Sequence, residues 1–131
     1  MIEAALMCLA LNVYFEARND SMVGQYAVAQ VVMNRVQSSK FPNDVCSVVK
    51  QSRSDGTCQF SWYCDGKSDK PREAYAWAYA QMVAADTLIG QGIDVTDMTQ
   101  GATHYHANYV RPYWADKLEY TVTYGSHLFY K

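Results

Sequence analysis

The chain has 131 residues and 14.8 kDa, the size of one domain with one core, so residues 1–131 are read as a single unit. Hydrophobic residues make up 50% and charged ones 18%, which excludes a disordered or solvating chain. Eleven Lys and Arg against 13 Asp and Glu leave a net charge of −2, which excludes binding to nucleic acid or an anionic membrane through a broad electrostatic footprint. Function is therefore expected in a site.

Residues 2–18 place Leu6, Leu9, Ala10, Val13 and Ala17 at helical spacing, with Met7, Leu11 and Tyr14 making the remaining surface apolar. A helix apolar on nearly every side belongs in the middle of a fold. Asp20 or Ser21 is placed to cap a second helix reaching about Ser39, which carries Tyr26, Ala27, Val28, Val31 and Val32, with Asn34 and Arg35 near its end. Phe41-Pro42-Asn43-Asp44 reads as a turn, with Asp44 capping a short helix through Val45, Val48 and Val49.

From Gln51 to Arg72 the pattern gives way to Gly, Ser, Asp and Lys around an aromatic cluster. An irregular stretch of that length is functional or disordered, and the embedded Cys58, Phe60, Trp62 and Cys64 favour order. Pro71 can open a further helix with Tyr75, Ala78, Tyr79, Met82 and Val83 on one face and Gly90 or Gly92 ending it. Beyond Thr99, His104-Tyr105-His106 and Tyr120-Thr121-Val122-Thr123-Tyr124 read as short strands or extended loop. The outline is α+β, mainly α.

No run of ~18 apolar residues is present to span a bilayer, and the opening residues lack a basic leader region. The chain is expected to work where it is made, to have lost a leader, or to depend on another protein for export. Four cysteines allow three disulfide pairings. A local Cys58–Cys64 staple is preferred, leaving Cys8–Cys46 as the second pair and implying an oxidising compartment; four reduced, buried thiols are the alternative.

Glu16 is the first candidate for chemistry. It follows Val13 by three positions and Leu9 by seven, so its carboxyl projects from an apolar stripe. Burial raises a carboxyl pKa, as a general acid near neutral pH requires. The structural alternative is a core carboxylate paired with Arg18 or Arg35. His104 and His106 are the second candidate, since alternate residues of an extended segment share a face and can line a cleft or bind a metal. Cys58 and Cys64 are possible additional zinc ligands, although their spacing is wider than in common zinc modules. Cys64 with His104 as base is a weaker third arrangement. The 11 tyrosines suit either a surface for an amphipathic ligand or half-buried core positions.

The segment Cys8-Leu9-Ala10-Leu11-Asn12-Val13-Tyr14-Phe15-Glu16-Ala17-Arg18 resembles the opening motif of the SleB-type cell-wall hydrolases, which include spore-cortex lytic enzymes and phage and bacterial wall-degrading domains. The resemblance continues through residues 24–36, Phe41-Pro42, Cys58-Gln59-Phe60-Ser61-Trp62, Cys64-Asp65-Gly66, residues 101–107 and the ending 125–130. It implies a lysozyme-like fold akin to goose-type lysozymes and lytic transglycosylases. The implied reaction is scission of the β-1,4 bond between N-acetylmuramic acid and N-acetylglucosamine in peptidoglycan, with Glu16 as acid. Asn19-Asp20 replaces the Gly-Glu-like turn expected of the family, a departure placed in the loop and away from the acid.

No motif supplies the second carboxylate that a retaining hydrolase needs about 5 Å away. A lytic transglycosylase, in which the muramic C6 hydroxyl attacks its own anomeric carbon, is therefore preferred over a hydrolytic lysozyme. Gln59, Phe60, Trp62, His104, Tyr105 and His106 are the expected cleft-lining residues. No metal or other cofactor is expected, the partner is the glycan strand, and the chain is expected to act as a monomer on the wall, in the periplasm or outside the cell. A phage lysis protein and an exported bacterial enzyme both fit. The competing classes are a non-catalytic peptidoglycan-binding module and a zinc amidase that cuts the peptide stem.

Overall fold

The computed structural model describes residues 2–90 and 97–131. Among these residues, four α-helices, α1 (Ile2–Ala17), α2 (Met22–Gln37), α3 (Val45–Val49) and α4 (Ala74–Gly90), precede three short strands, β1 (His104–Ala107), β2 (Tyr120–Tyr124) and β3 (His127–Tyr130). The strands form an antiparallel sheet in the order β1-β3-β2.

Helix α1 is apolar on most sides because it is packed on most sides, with Met7 left 49% exposed. Helices α2, α3 and α4 all lie against it, burying Leu9, Val13 and Tyr14 together with Asn12. The Asn12 amide oxygen is satisfied by the Trp62 indole N–H at 2.8 Å. That bond draws the irregular 51–72 segment onto the core, where Trp62 stacks on Phe15 with ring centres 5.0 Å apart. The expectation of order in this segment is met: the Cys58–Cys64 disulfide, a 3-10 turn over Ser61–Cys64 and a Ser52–Cys58 bridge hold it. The second disulfide joins Cys8 to Cys46 and ties α3 to α1.

Ser21, not Asp20, caps α2: its hydroxyl accepts the Gly24 N–H at 3.2 Å. Asp44 caps α3 by accepting from the Ser47 N–H at 2.9 Å. Helix α4 begins three residues after Pro71. The two residues that lead into it are tied to α1, because the Tyr14 hydroxyl accepts from the Arg72 and Glu73 N–H groups at 3.1 and 3.0 Å. Gly92 lies outside the described residues.

The expected inward face of α4 needs correction. Of Tyr75, Ala78, Tyr79, Met82 and Val83 only Val83 is buried, and Tyr75 is 86% exposed. The buried stripe is Ala80, Val83, Ala84 and Thr87. In a helix apolar on every side, periodicity cannot select a face. The small side chains turn inward because they let α4 approach α1 closely; Trp77 and Leu88 pack at the margin of the core, and Tyr75, Tyr79 and Met82 are left outside.

The sheet packs on a second apolar cluster of Ala17, Ala27, Val28, Val31, Ala102 and Phe129. Asn34 pins the preceding loop to α2 through the Ala102 carbonyl at 2.8 Å, and Arg35 holds the Thr103 carbonyl at 2.7 Å. These two contacts fix where β1 begins, and so where Tyr105 points.

Candidate active site

Glu16 occupies the last turn of α1, half-buried in a cleft of about 120 Å³ bounded by residues 15–18, the loop residues Asn19 and Asp20, and Ser126 and His127 of the β2–β3 hairpin. It is not the ion-paired core carboxylate of the structural alternative. Arg18 pairs instead with Glu73, Nε to Oε2 at 2.5 Å. Arg35 spends its guanidinium on the Phe41 and Phe60 rings and on the Thr103 carbonyl.

The direct partner of Glu16 is Tyr105, whose hydroxyl donates to Oε1 at 2.5 Å. Burial pushes the Glu16 carboxyl above its ordinary value; the Tyr105 hydrogen bond, His127 whenever its ring is protonated, and the charge of Arg35 pull the other way without cancelling it. Burial, reinforced by the Glu16 charge, holds the Tyr105 phenol well above its usual range, so it stays a donor. The result is a carboxyl that keeps its proton to higher pH than a surface glutamate while aimed into an open cleft. Such a group can act as a general acid and, once ionised, as a base.

Tyr105→Phe separates these opposing influences. It removes the hydrogen bond that favours the ionised carboxyl, so the Glu16 pKa should rise further. The alkaline limb of the rate profile, where the acid is lost, should move to higher pH, and peak turnover should drop about tenfold, the worth of one hydrogen bond to a charged group. Rate–pH profiles of the two proteins check this; an alkaline limb that stays put or moves down would refute it.

Strand alternation separates the other expected site residues. Tyr105 points inward to Glu16, whereas His104 and His106 share the opposite face, against Trp114 at ring distances of 5.1 and 5.7 Å. His106 is 8% exposed, with Nδ1 on the Ala107 carbonyl and Nε2 on the Tyr130 hydroxyl, both at 2.8 Å. His104 contacts Phe41, and burial, aided by Arg35, lowers its pKa to about 4, which leaves it neutral at physiological pH. Phe60 and Trp62, 3% and 7% exposed, are placed in the core behind the cleft; Trp62 backs Phe15, which lines it. Gln59 is half-buried, its N–H on the Gln51 carbonyl at 2.9 Å. The structure thus brings the Tyr105 hydroxyl to Glu16, but neither Tyr105 nor any of the other five residues expected to line the cleft is among those that bound it.

Cys58 and Cys64 are bonded to each other, which removes them as zinc ligands and removes Cys64 as a nucleophile. Among the described residues, no group of three or more His, Cys, Asp or Glu side chains is placed to hold a metal ion.

Asp20 and His127 are the cleft residues that sequence reasoning misses. The motif comparison puts Asp20 in the loop and away from the acid, but it lines the same cleft. The available signal is the hairpin: two β-prone runs flank Gly125-Ser126, a two-residue turn. Gly125 has φ +57°, and a Cβ there would fall 1.8 Å from Asp20 Oδ1, so only glycine lets the turn close down on the loop.

Comparison with known proteins decides the family. The profile of a family described as Cell Wall Hydrolase matches residues 19–130. The chain belongs to this family. A spore cortex-lytic enzyme of Halalkalibacterium halodurans is 35% identical over 101 residues, 76% of this chain and 26% of that protein. One of Bacillus cereus is 44% identical over 48 residues, 37% of this chain and 18% of that protein. The chain thus spans about a quarter or less of the length of these relatives.

Among solved structures of the family, the catalytic domain of the germination-specific lytic transglycosylase SleB from Bacillus anthracis matches with a TM-score of 0.70 at 28% identity, covering 97% of this chain and 93% of that one. The catalytic domain of the Bacillus cereus SleB protein matches with a TM-score of 0.76 at 29% identity, covering 98% and 91%. The α+β, mainly helical architecture is therefore the lysozyme-like fold of SleB catalytic domains, as the motifs implied. The family profile begins three residues beyond Glu16, so the role of Glu16 is argued from its surroundings in this chain.

Proposed function

We propose that residues 1–131 form one catalytic domain that cleaves the glycan strand of peptidoglycan as a lytic transglycosylase, with Glu16 as acid and base. Glu16 gives its proton to the glycosidic oxygen as positive charge develops at the anomeric carbon of N-acetylmuramic acid. The C6 hydroxyl of the same sugar then closes on that carbon, leaving a 1,6-anhydro end and consuming no water. The similarity to SleB catalytic domains supports the reading. The place of action is the wall, outside the cytoplasm, which suits two disulfides.

The observation that carries this reading over a hydrolase is the state of the second carboxylate in the cleft. Asp20 is there, but both of its oxygens are occupied. Oδ1 accepts from the Ser21 N–H at 3.0 Å and the Ser126 N–H at 3.4 Å; Oδ2 accepts from His127 at 2.8 Å and the Ser126 hydroxyl at 3.4 Å. A nucleophilic carboxylate needs a free oxygen facing the anomeric carbon, whereas Asp20 is built to hold its neighbours. Phe60, Trp62, His104 and His106 serve in this reading as packing that supports Phe15 and Tyr105.

The test is incubation of purified peptidoglycan sacculi with the protein, with and without EDTA, and analysis of what is solubilised. Release of disaccharide-containing fragments, unchanged by the chelator, is expected. Release of peptides alone, binding without release, or loss of activity with EDTA would each overturn the proposal.

A further inference from the structure

The β2–β3 turn sets His127 against the α1–α2 loop. The imidazole is 8% exposed, packed edge-on against Tyr105 at 5.1 Å and beside Phe129 at 6.4 Å. Its Nδ1 lies 2.8 Å from Asp20 Oδ2. An ionised carboxylate only accepts, so Nδ1 carries the proton, and in the neutral ring Nε2 is left with its lone pair. The ring that bears this lone pair lines the same cleft as Glu16, and Tyr105 touches both, its ring on His127 and its hydroxyl on Glu16. A base oriented by a buried carboxylate beside a separate acid is a recurrent arrangement for moving a proton off an attacking hydroxyl.

We propose that His127, held by Asp20, is the base that takes the proton of the attacking hydroxyl while Glu16 acts as the acid. The inference rests on the glycan-cleaving reading above and divides between two groups the work there given to Glu16 alone. The proton of Glu16 goes to the leaving oxygen, and the bond from the anomeric carbon to that oxygen breaks with its electron pair. The C6 oxygen bonds to the anomeric carbon and its proton passes to His127 Nε2. The imidazolium, stabilised by Asp20, then returns a proton through solvent to the Glu16 carboxylate. One bond to carbon breaks, one forms, and both groups regain their starting states.

The decisive variant is His127→Asn, because the Asn side-chain N–H can replace Nδ1 in the bond to Asp20 while nothing replaces Nε2. Turnover on purified peptidoglycan should fall about 10²-fold, the worth of a general base, with KM changed by less than about threefold. His127→Ala should fall as far and regain at least about tenfold on addition of imidazole. Wild-type turnover in His127→Asn overturns the proposal, as does a folded His127→Ala that imidazole does not rescue. If circular dichroism shows that neither variant folds, the pair is a structural tie and the proposal fails. Glu16→Gln is assayed alongside: if it is active, the glycan-cleaving reading fails as well, whereas an inert Glu16→Gln with an active His127→Asn removes only the role of His127.

Discussion

Glu16→Gln should lose turnover on peptidoglycan by about 10³-fold or more while the protein becomes more stable at neutral pH. The first half follows from removing the proton that the leaving oxygen requires. The second follows from burial. The Glu16 carboxyl has a higher pKa folded than unfolded, so its contribution to stability is complete below its unfolded value and is lost as pH rises through the folded value. At pH 7 the protein carries that cost, and the glutamine variant does not. The amide of the variant would keep an oxygen for the Tyr105 hydroxyl, so no partner is orphaned. The melting temperature at pH 7 should rise by a few degrees, since 1 kcal/mol is worth about 4 °C at this size. The gain should close as pH falls below about 4.5, where Glu16 is protonated in both states. Thermal melts at pH 7 and pH 4 check this; equal or lower stability at pH 7 would contradict the burial argument.

The second large effect concerns the disulfides. Cys8–Cys46 closes a loop of 38 residues in sequence and Cys58–Cys64 one of six. On chain entropy alone the first should contribute about 4 kcal/mol and the second roughly 2 kcal/mol. Since domains of this kind have only about 5–15 kcal/mol to lose, Cys8→Ala with Cys46→Ala should bring the protein close to unfolding at 37 °C. Cys58→Ala with Cys64→Ala should leave it folded. Denaturant titration of the two double variants measures both, and the reverse order would refute the loop-closure account.

The helices are legible in the sequence where a local signal exists. The apolar run of α1, the Ser21 and Asp44 caps and the turn at Phe41-Pro42 each sit within a few residues of what they determine. The buried stripe of α4 is not legible, because a helix apolar on every side has no amphipathic phase and its inward face is chosen by how closely alanines let it approach α1. The site divides along the same line. Glu16 stands out from its own helix, but its partners arrive from far along the chain: Tyr105 is 89 residues away, and the Asp20–His127 contact spans 107. The alternation of β1 does place His104 and His106 on one face, as the sequence implies. Only the packing of the sheet shows that Tyr105, between them, faces the acid.

The central claim, that Glu16 drives intramolecular cleavage of the glycan, is tested most directly by mass spectrometry of the fragments released from purified peptidoglycan by the wild type and by Glu16→Gln. The account predicts 1,6-anhydro-muramic ends from the wild type and none above background from the variant. Reducing ends from the wild type would contradict the transglycosylase chemistry and return Asp20 or an activated water to consideration, and anhydro ends from Glu16→Gln at the wild-type rate would contradict the role of Glu16 itself.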